Sequence, residues 1–354
     1  MPVSARGPLR HVLVHLLTPL LMCLGMGLAY MSAFVTPEPH EMPVAVVGTD
    51  ARAHAFAASV ADEAGDALDV RTLASRAQAV DALKSLDISG AYVPDARAPE
   101  LLVASAGSDM SALAAEKVFT PVAAAQGSPL KVTNVAPPVS DDPTGQGLFF
   151  LLVAVSIGSY ASVAALGAAG GALRMRVRAG LAVGVAFAVS LIGTALAGPV
   201  FHLAHHGLWG VWAMSWLYSA GILLIGVGLH TFLRRWTTLA MMVLFVMLNF
   251  TSSGGLFRPE LQNGFFGSLH AFWNGAGFVE GVRAQQYFGG HGLGGHVGTL
   301  VAWLVVGALL TAVAGLVERR RGAVAAAPVE PTAAEAAKAS ATSEEEELEE
   351  SVGV

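Results

Sequence analysis

Residues 208–251 read LWGVWAMSWLYSAGILLIGVGLHTFLRRWTTLAMMVLFVMLNFT. Two apolar runs, 208–230 and 236–251, flank the pair Arg234-Arg235. A helix needs about 20 apolar residues to cross the hydrocarbon of a bilayer. Outward from this stretch, four further runs stand at 11–35, 147–171, 179–203 and 297–317. Arg174, Arg176 and Arg178 fall between the second and third runs, Arg234 and Arg235 between the fourth and fifth, and Arg319, Arg320 and Arg321 after the sixth. If six spans alternate from a cytoplasmic N-terminus (1–10), every cluster faces inward, as the positive-inside rule requires. A count of five puts at least one cluster on the wrong side. The first run exceeds the roughly 7–15 apolar residues of a signal peptide, so it is read as an uncleaved span. Pro19 is expected to kink it, and Gly198-Pro199 to break the third span near its outer end. Gly180 and Gly184 form a small-xxx-small pair that would let helices approach closely.

Composition agrees with lipid as the solvent. Charged residues are 13% of 354 and apolar ones 54%, with a mean hydropathy of +0.59. A soluble core of this length cannot hide that much apolar surface. The net charge of −6 traces to the tail from Ala323, where Glu330, Glu335, Glu344–Glu347, Glu349 and Glu350 stand against Lys338. The segment 318–354 that ends in it is expected to be cytoplasmic and disordered, because it has little to bury. No basic stripe suggests nucleic acid as a partner. The single cysteine, Cys23, lies in an apolar run and excludes internal disulfides and cysteine-type zinc sites.

Residues 36–146 differ in composition and predict a folded α/β domain, a mixed sheet with helices, on the outer side between the first two spans. Strands are expected at 44–47, 67–73, 91–93, 101–106 and 131–136, and helices at 51–64 and 109–125. Ser75 and Gln78 have capping-box spacing, and Val80, Leu83 and Leu86 recur at helical intervals behind them. Alternating strands and helices argue for one layered sheet.

The search for chemistry yields little. There is no phosphate-binding P-loop, no nucleophile elbow and no zinc-protease motif, so no catalytic or cofactor-binding residue is expected and the chain is not read as an enzyme. Spans two to six contain almost no Asp, Glu or Lys, which disfavours a proton relay. His202, His205 and His206 form a His-x-x-His-His cluster at the outer end of the third span, a conceivable metal site set against ordinary interfacial histidines. His291 and His296 sit in a Gly-rich stretch expected to be a flexible loop. The segment 252–296 is the most distinctive. Phe265, Phe266, Leu269, Phe272 and Trp273 are expected to share one helical face. A second short pattern comes after it, with Phe278, Val279 and Val282 apolar and Glu280 and Arg283 polar. This segment is read either as re-entrant or as an interfacial loop with aromatic anchors. Ser253, Gly254, Gly255, Pro259, Phe265, Phe266 and Arg283 are its structural or gating candidates.

One span, an outer α/β domain and five further spans resemble the permeases of type-2 ABC transporters, most closely the phage-infection-protein branch. Asn249-Phe250-Thr251-Ser252-Ser253-Gly254-Gly255, then Pro259, Gly264-Phe265-Phe266 and Leu269-His270, are similar to that branch's outer segment. Val282-Arg283 with Tyr287-Phe288 fits it too. So do Pro43-Val44-Ala45-Val46-Val47 and Ile88-Ser89-Gly90-Ala91-Tyr92-Val93-Pro94 in the outer domain. The chain departs from the family at Asn249-Phe250, where the family has Asn-Pro, and in the short inner loop 172–178. The resemblance implies a permease half that forms a homo- or heterodimer in the cell membrane. It would move a hydrophobic, lipid-like or peptide substrate with a separate P-loop ATPase. The competing expectations are a non-transporting scaffold, secretion accessory or surface receptor acting through the outer domain, and an outer-face metal-binding protein.

Overall fold

A computed structural model describes residues 6–35, 37–95, 97–169 and 172–325. Of the expected cytoplasmic segment 1–10 and the expected disordered tail 318–354, residues 1–5 and 326–354 lie outside the described residues, and 6–10 and 318–325 are helical. The chain is mostly helical with one small mixed sheet. Five of its helical segments are long and apolar enough to cross a membrane: Leu16–Phe34, Gly147–Gly167, Met175–Val200, Leu208–Thr251 and Leu293–Arg321.

The fourth segment is 44 residues long, but it is not one rod. Its first arm, α7 (Leu208–Leu233), stops at Arg234, which takes the backbone angles φ 48 and ψ −111. A 3₁₀ turn over Arg234–Trp236 starts the second arm. That arm is composite: α8 (Thr237–Met242), a π turn (Val243–Met247) and α9 (Leu248–Thr251). Asn249 Nδ2 donates to Tyr218 Oη at 2.7 Å. These two residues are nearly equidistant in sequence from Arg234, so the arms lie side by side. Tyr218 through Gly228 are buried without interruption, as befits a helix apolar all round that forms the centre of a bundle.

Around it stand α5 (Gly147–Ala169), α6 (Met175–Ala195) and α12 (Leu293–Ala325). Close packing is set by glycine. A Cβ on Gly307 would lie 2.9 Å from the Gly221 carbonyl, so α7 and α12 meet nearly backbone to backbone. A Cβ on Gly180 or Gly184 would meet nothing within 4 Å among the described residues, so the pair singled out by sequence packs against none of them. Gly198-Pro199 ends α6 at Ala195 in a π turn over Leu196–Val200, because Pro199 has no N–H to continue the ladder. α1 (Arg6–Phe34) continues through Pro19.

Several boundaries move. α6 begins at Met175, not 179, so Arg176 and Arg178 lie on the helix. Arg178 is buried, whereas Arg174 and Arg176 are exposed. α12 begins at Leu293 and runs to Ala325. It absorbs His296, expected in a loop, and Arg319–Arg321, expected beyond the helix. Poor local charge signals explain this: helices tolerate arginine and glycine in their end turns. The chain divides into two compact units, Met1–Ala314 and Gly315–Val354, and the first contains the sheet and the hairpin built on it.

The sheet is built as its sequence period predicts. β1 (Met42–Val47), β2 (Leu68–Leu73), β3 (Gly90–Val93), β4 (Glu100–Val103) and β5 (Lys131–Asn134) stand in the order β2-β1-β3-β4-β5. β1 is parallel to both neighbours, β4 is antiparallel to β3, and β5 is parallel to β4. Alternate residues supply two cores. Val44, Tyr92, Leu101 and Val103 pack with Phe119 of α4 (Asp109–Ala125). Ala45, Ala91 and Leu102 pack with Leu83 of α3 (Arg76–Lys84). Asp50 caps α2 (Ala51–Ala64), accepting from the Ala53 N–H at 2.7 Å. Ser75 caps α3 as the capping spacing predicts. Hydrogen bonds from Arg76 hold the Glu100 carboxyl down at about 2, against its partial burial. Each core also takes residues from far along the chain: buried Leu261 with Phe257 beside it in the first, and buried Phe288 with Tyr287 in the second.

Candidate functional site

The segment between Leu261 and Phe288 forms a helical hairpin, α10 (Gly264–His270) and α11 (Asn274–Tyr287). Asn263 starts it, accepting from the Phe266 N–H and donating to the Ser32 carbonyl of α1 at 3.2 Å. The tip lies against two of the long helical segments. Trp273 Nε1 donates to the Leu244 carbonyl at 3.2 Å, and Trp303 Nε1 donates to the Phe272 carbonyl at 2.8 Å. α11 then returns alongside α7. Phe278 packs on Tyr218 with ring centroids 5.1 Å apart. Gln285 and Gln286 donate to the carbonyls of Gly207 and His206 at the start of α7. From Gly207 to Tyr218 the hairpin follows α7 for about 16 Å at 1.5 Å per residue.

The expected aromatic face is corrected. Phe266 and Trp273 are buried, but Phe265 and Phe272 are exposed. α10 ends at His270, so Phe272 and Trp273 lie on the turn and do not continue its periodicity. Glu280 and Arg283, read as polar surface, are 3% and 2% exposed.

These two residues anchor a charged node. Arg283 donates through one guanidinium nitrogen to Glu280 Oε1, three residues earlier on α11, and through the other to the Gly254 carbonyl at 3.1 Å. Arg258 lies 3.6 Å from Glu280 Oε2 and 3.4 Å from Glu260 Oε1. Glu260 Oε1 accepts from Ser89 Oγ at 2.8 Å and from Ser111 Oγ at 3.0 Å, both in the sheet domain. Its backbone carbonyl accepts from the His40 N–H. His270 Nδ1 is 2.9 Å from the Ser252 carbonyl, which can only accept, so the imidazole carries its proton there. Its other nitrogen is 3.9 Å from Glu280. Two carboxylates thus offset two guanidiniums in a buried site, which is what makes such burial tolerable.

Gly254 makes the node possible. Its φ is +72, and a Cβ there would sit 2.9 Å from Glu280 Oε1 and against the His270 ring. Of the residues singled out by sequence, Gly254 and Arg283 meet in the node. Ser253 and Gly255 adjoin it: Ser253 Oγ accepts from the Gly255 N–H, and Gly255 packs on Phe149. Pro259 opens a 3₁₀ turn, and neither it nor Phe265 nor Phe266 joins the charged contacts. Arg258, Glu260, His270 and Glu280 complete the node without having been among those candidates. One signal was available: Glu280 and Arg283 are the sole acid and guanidinium in 264–291.

Beyond the node, toward the hairpin tip, runs a buried polar chain. Asn249 donates to Tyr218, Tyr218 Oη lies 2.5 Å from Ser156 Oγ, and Ser156 donates to the Leu152 carbonyl at 2.6 Å. Ser156 has one hydroxyl proton, so Tyr218 is the donor between them. Next to it, Asn249 Oδ1, both polar atoms of Asn274, and the hydroxyls of Ser215 and Ser219 are buried without a partner among the described residues. Unpaired buried groups are uncommon in folded proteins.

His202, His205 and His206 are exposed on the bend between α6 and α7, and among the described residues no three His, Cys, Asp or Glu side chains converge on a metal-sized site. Compared with models of known families, with curated proteins and with solved structures, the chain matches none.

Proposed function

We propose that this chain is a six-crossing permease-like subunit of a type-2 ABC exporter, moving a hydrophobic, lipid-like or peptide substrate with a separate ATPase. The observation that carries the proposal is the two-rooted hairpin. Its roots, Leu261 and Phe288, are held in the two cores of the sheet domain, its charged shoulder is tied to that domain through Glu260, and its tip lies among unpaired polar groups of the bundle. A displacement of the outer domain is thereby delivered to the interior of the bundle, as alternating access requires. The turn at Arg234 supports splitting the 44-residue segment into two crossings. Alternation then puts Arg174, Arg176, Arg234, Arg235 and Arg319–Arg321 with both termini in the cytoplasm, and the sheet domain outside the cell membrane.

Purification in a mild detergent tests the reading. A P-loop ATPase is expected to accompany the protein, and deletion of the gene is expected to abolish an ATP-dependent efflux. If no ATPase accompanies it and efflux is unchanged, the permease reading fails. A second reading, a non-transporting scaffold or receptor that works through the sheet domain, is favoured by one feature. Only residues 170–174 separate α5 from α6, a small surface for an ATPase to grip.

A further inference from the structure

At the opposite end of the bundle from the sheet, α5, α7, the 3₁₀ turn and α8 line an open cleft of about 220 Å³, with Arg234 and Arg235 at its exposed rim. One water needs about 10–15 Å³ by the same kind of measure, so this space takes a larger group. Arg234, Arg235 and Thr238 line it with Tyr160, and Val163 and Met241 form an apolar wall. The Arg235 guanidinium lies 5.4 Å from the centroid of the Trp236 ring, a distance at which the ring attracts the cation. Neither arginine is paired with a carboxylate among the described residues.

Two further details set this place apart from an ordinary positive anchor. Arg234 has φ 48 and ψ −111, a backbone conformation suited to glycine, so an L side chain is held there at a conformational cost. Gly167 of α5 opens the space on the other side: a Cβ there would sit 2.8 Å from the His230 ring. The absence of a side chain thus lets α5 and the end of α7 converge around the cleft without filling it.

We propose that this cleft binds a phosphate group, that of an anionic phospholipid headgroup or a free phosphate anion. Two guanidiniums supply planar N–H forks that match phosphate oxygens, Thr238 and Tyr160 supply hydroxyls, and Val163 with Met241 offers an apolar seat for the first acyl carbons. Basic pockets between membrane helices are where anionic headgroups are held. The site does not depend on the permease reading.

The test uses the full chain in phosphatidylcholine nanodiscs doped with phosphatidylglycerol, with bound lipid counted by native mass spectrometry. The wild type is expected to retain phosphatidylglycerol selectively. Arg234→Gly/Arg235→Gln, which also relieves the backbone, is expected to weaken retention by about tenfold or more as two charge-assisted contacts are lost. Ala164→Phe keeps both arginines but fills the cleft, and should lose retention too. Arg176→Gln, an exposed arginine outside the cleft, should not. A second arm adds inorganic phosphate to lipid-depleted protein in detergent and reads the thermal midpoint. A rise absent from the double variant identifies the free anion as sufficient, whereas selective lipid retention without that rise identifies the headgroup as the source. No selectivity in the wild type for either ligand, or selectivity that survives equally in the double variant and Ala164→Phe, overturns the proposal.

Discussion

Glu280 faces two guanidiniums and an imidazole from a position 3% exposed. Its removal leaves Arg283 buried without its carboxylate, and Arg258 with Glu260 alone. Breaking a buried ion pair from one side costs about 3–5 kcal/mol, whereas removing both partners costs much less. Glu280→Ala is therefore expected to lower the thermal unfolding midpoint sharply in detergent. Glu280→Met/Arg283→Met is expected to recover part of that loss, because Arg258 retains Glu260 at 3.4 Å. Melting curves of the two variants in one detergent decide the matter. A double variant as unstable as the sum of its single substitutions would show that the node is not an ionic network. The contrast within the same molecule is Arg76–Glu100, whose arginine side chain is 50% exposed; a pair of that kind contributes little to stability.

Among the elements, the sheet was legible in the sequence and the hairpin was not. The expected strands at 44–47, 67–73 and 91–93 overlap Met42–Val47, Leu68–Leu73 and Gly90–Val93, because alternation and local capping carry that information along the chain. The node was hidden for the opposite reason. Arg258 and Glu260 come from a turn, Glu280 and Arg283 from a helix, and Ser89 and Ser111 from the sheet domain, and no periodic pattern records a meeting of residues so far apart in sequence. Burial of α11 was equally illegible, since Glu280 and Arg283 give it the composition of a surface helix. Its glycines do report on it once the structure is known. A Cβ on Gly275 would overlap Asn249 Oδ1, whose amide nitrogen holds Tyr218. Gly275→Ala should thus cost about 1–3 kcal/mol by overpacking and speed amide exchange along α11. Gly264→Ala, at a position with nothing within 4 Å, should stay within about 0.5 kcal/mol of the parent. Equal effects at the two positions would mean that the hairpin is not seated against Asn249.

For the molecule as a whole, the number of crossings turns on the 44 residues of Leu208–Thr251. As a single straight helix they would be about 66 Å long, twice the hydrocarbon thickness. The Asn249–Tyr218 hydrogen bond instead folds the segment upon itself at Arg234, and the second arm is short, so a second crossing would need its π turn and the adjoining 3₁₀ turn as well. A probe that cannot cross a membrane separates the two counts. If the segment crosses twice, His206 and position 235 lie on opposite faces of the bilayer, and the sheet domain shares the face of His206 through the hairpin. If the two arms do not both cross, the turn that carries position 235 stops within hydrocarbon. The experiment starts from Cys23→Ser and adds one cysteine at a time at three exposed positions: Lys117→Cys on α4, His206→Cys and Arg235→Cys. With a charged maleimide on intact cells, positions 117 and 206 should label at once, and position 235 only after the membrane is opened. Labelling of 235 from outside would invert the proposed orientation. Failure of 235 to label even in opened cells, while a cysteine at 319 does label, would return the count to five.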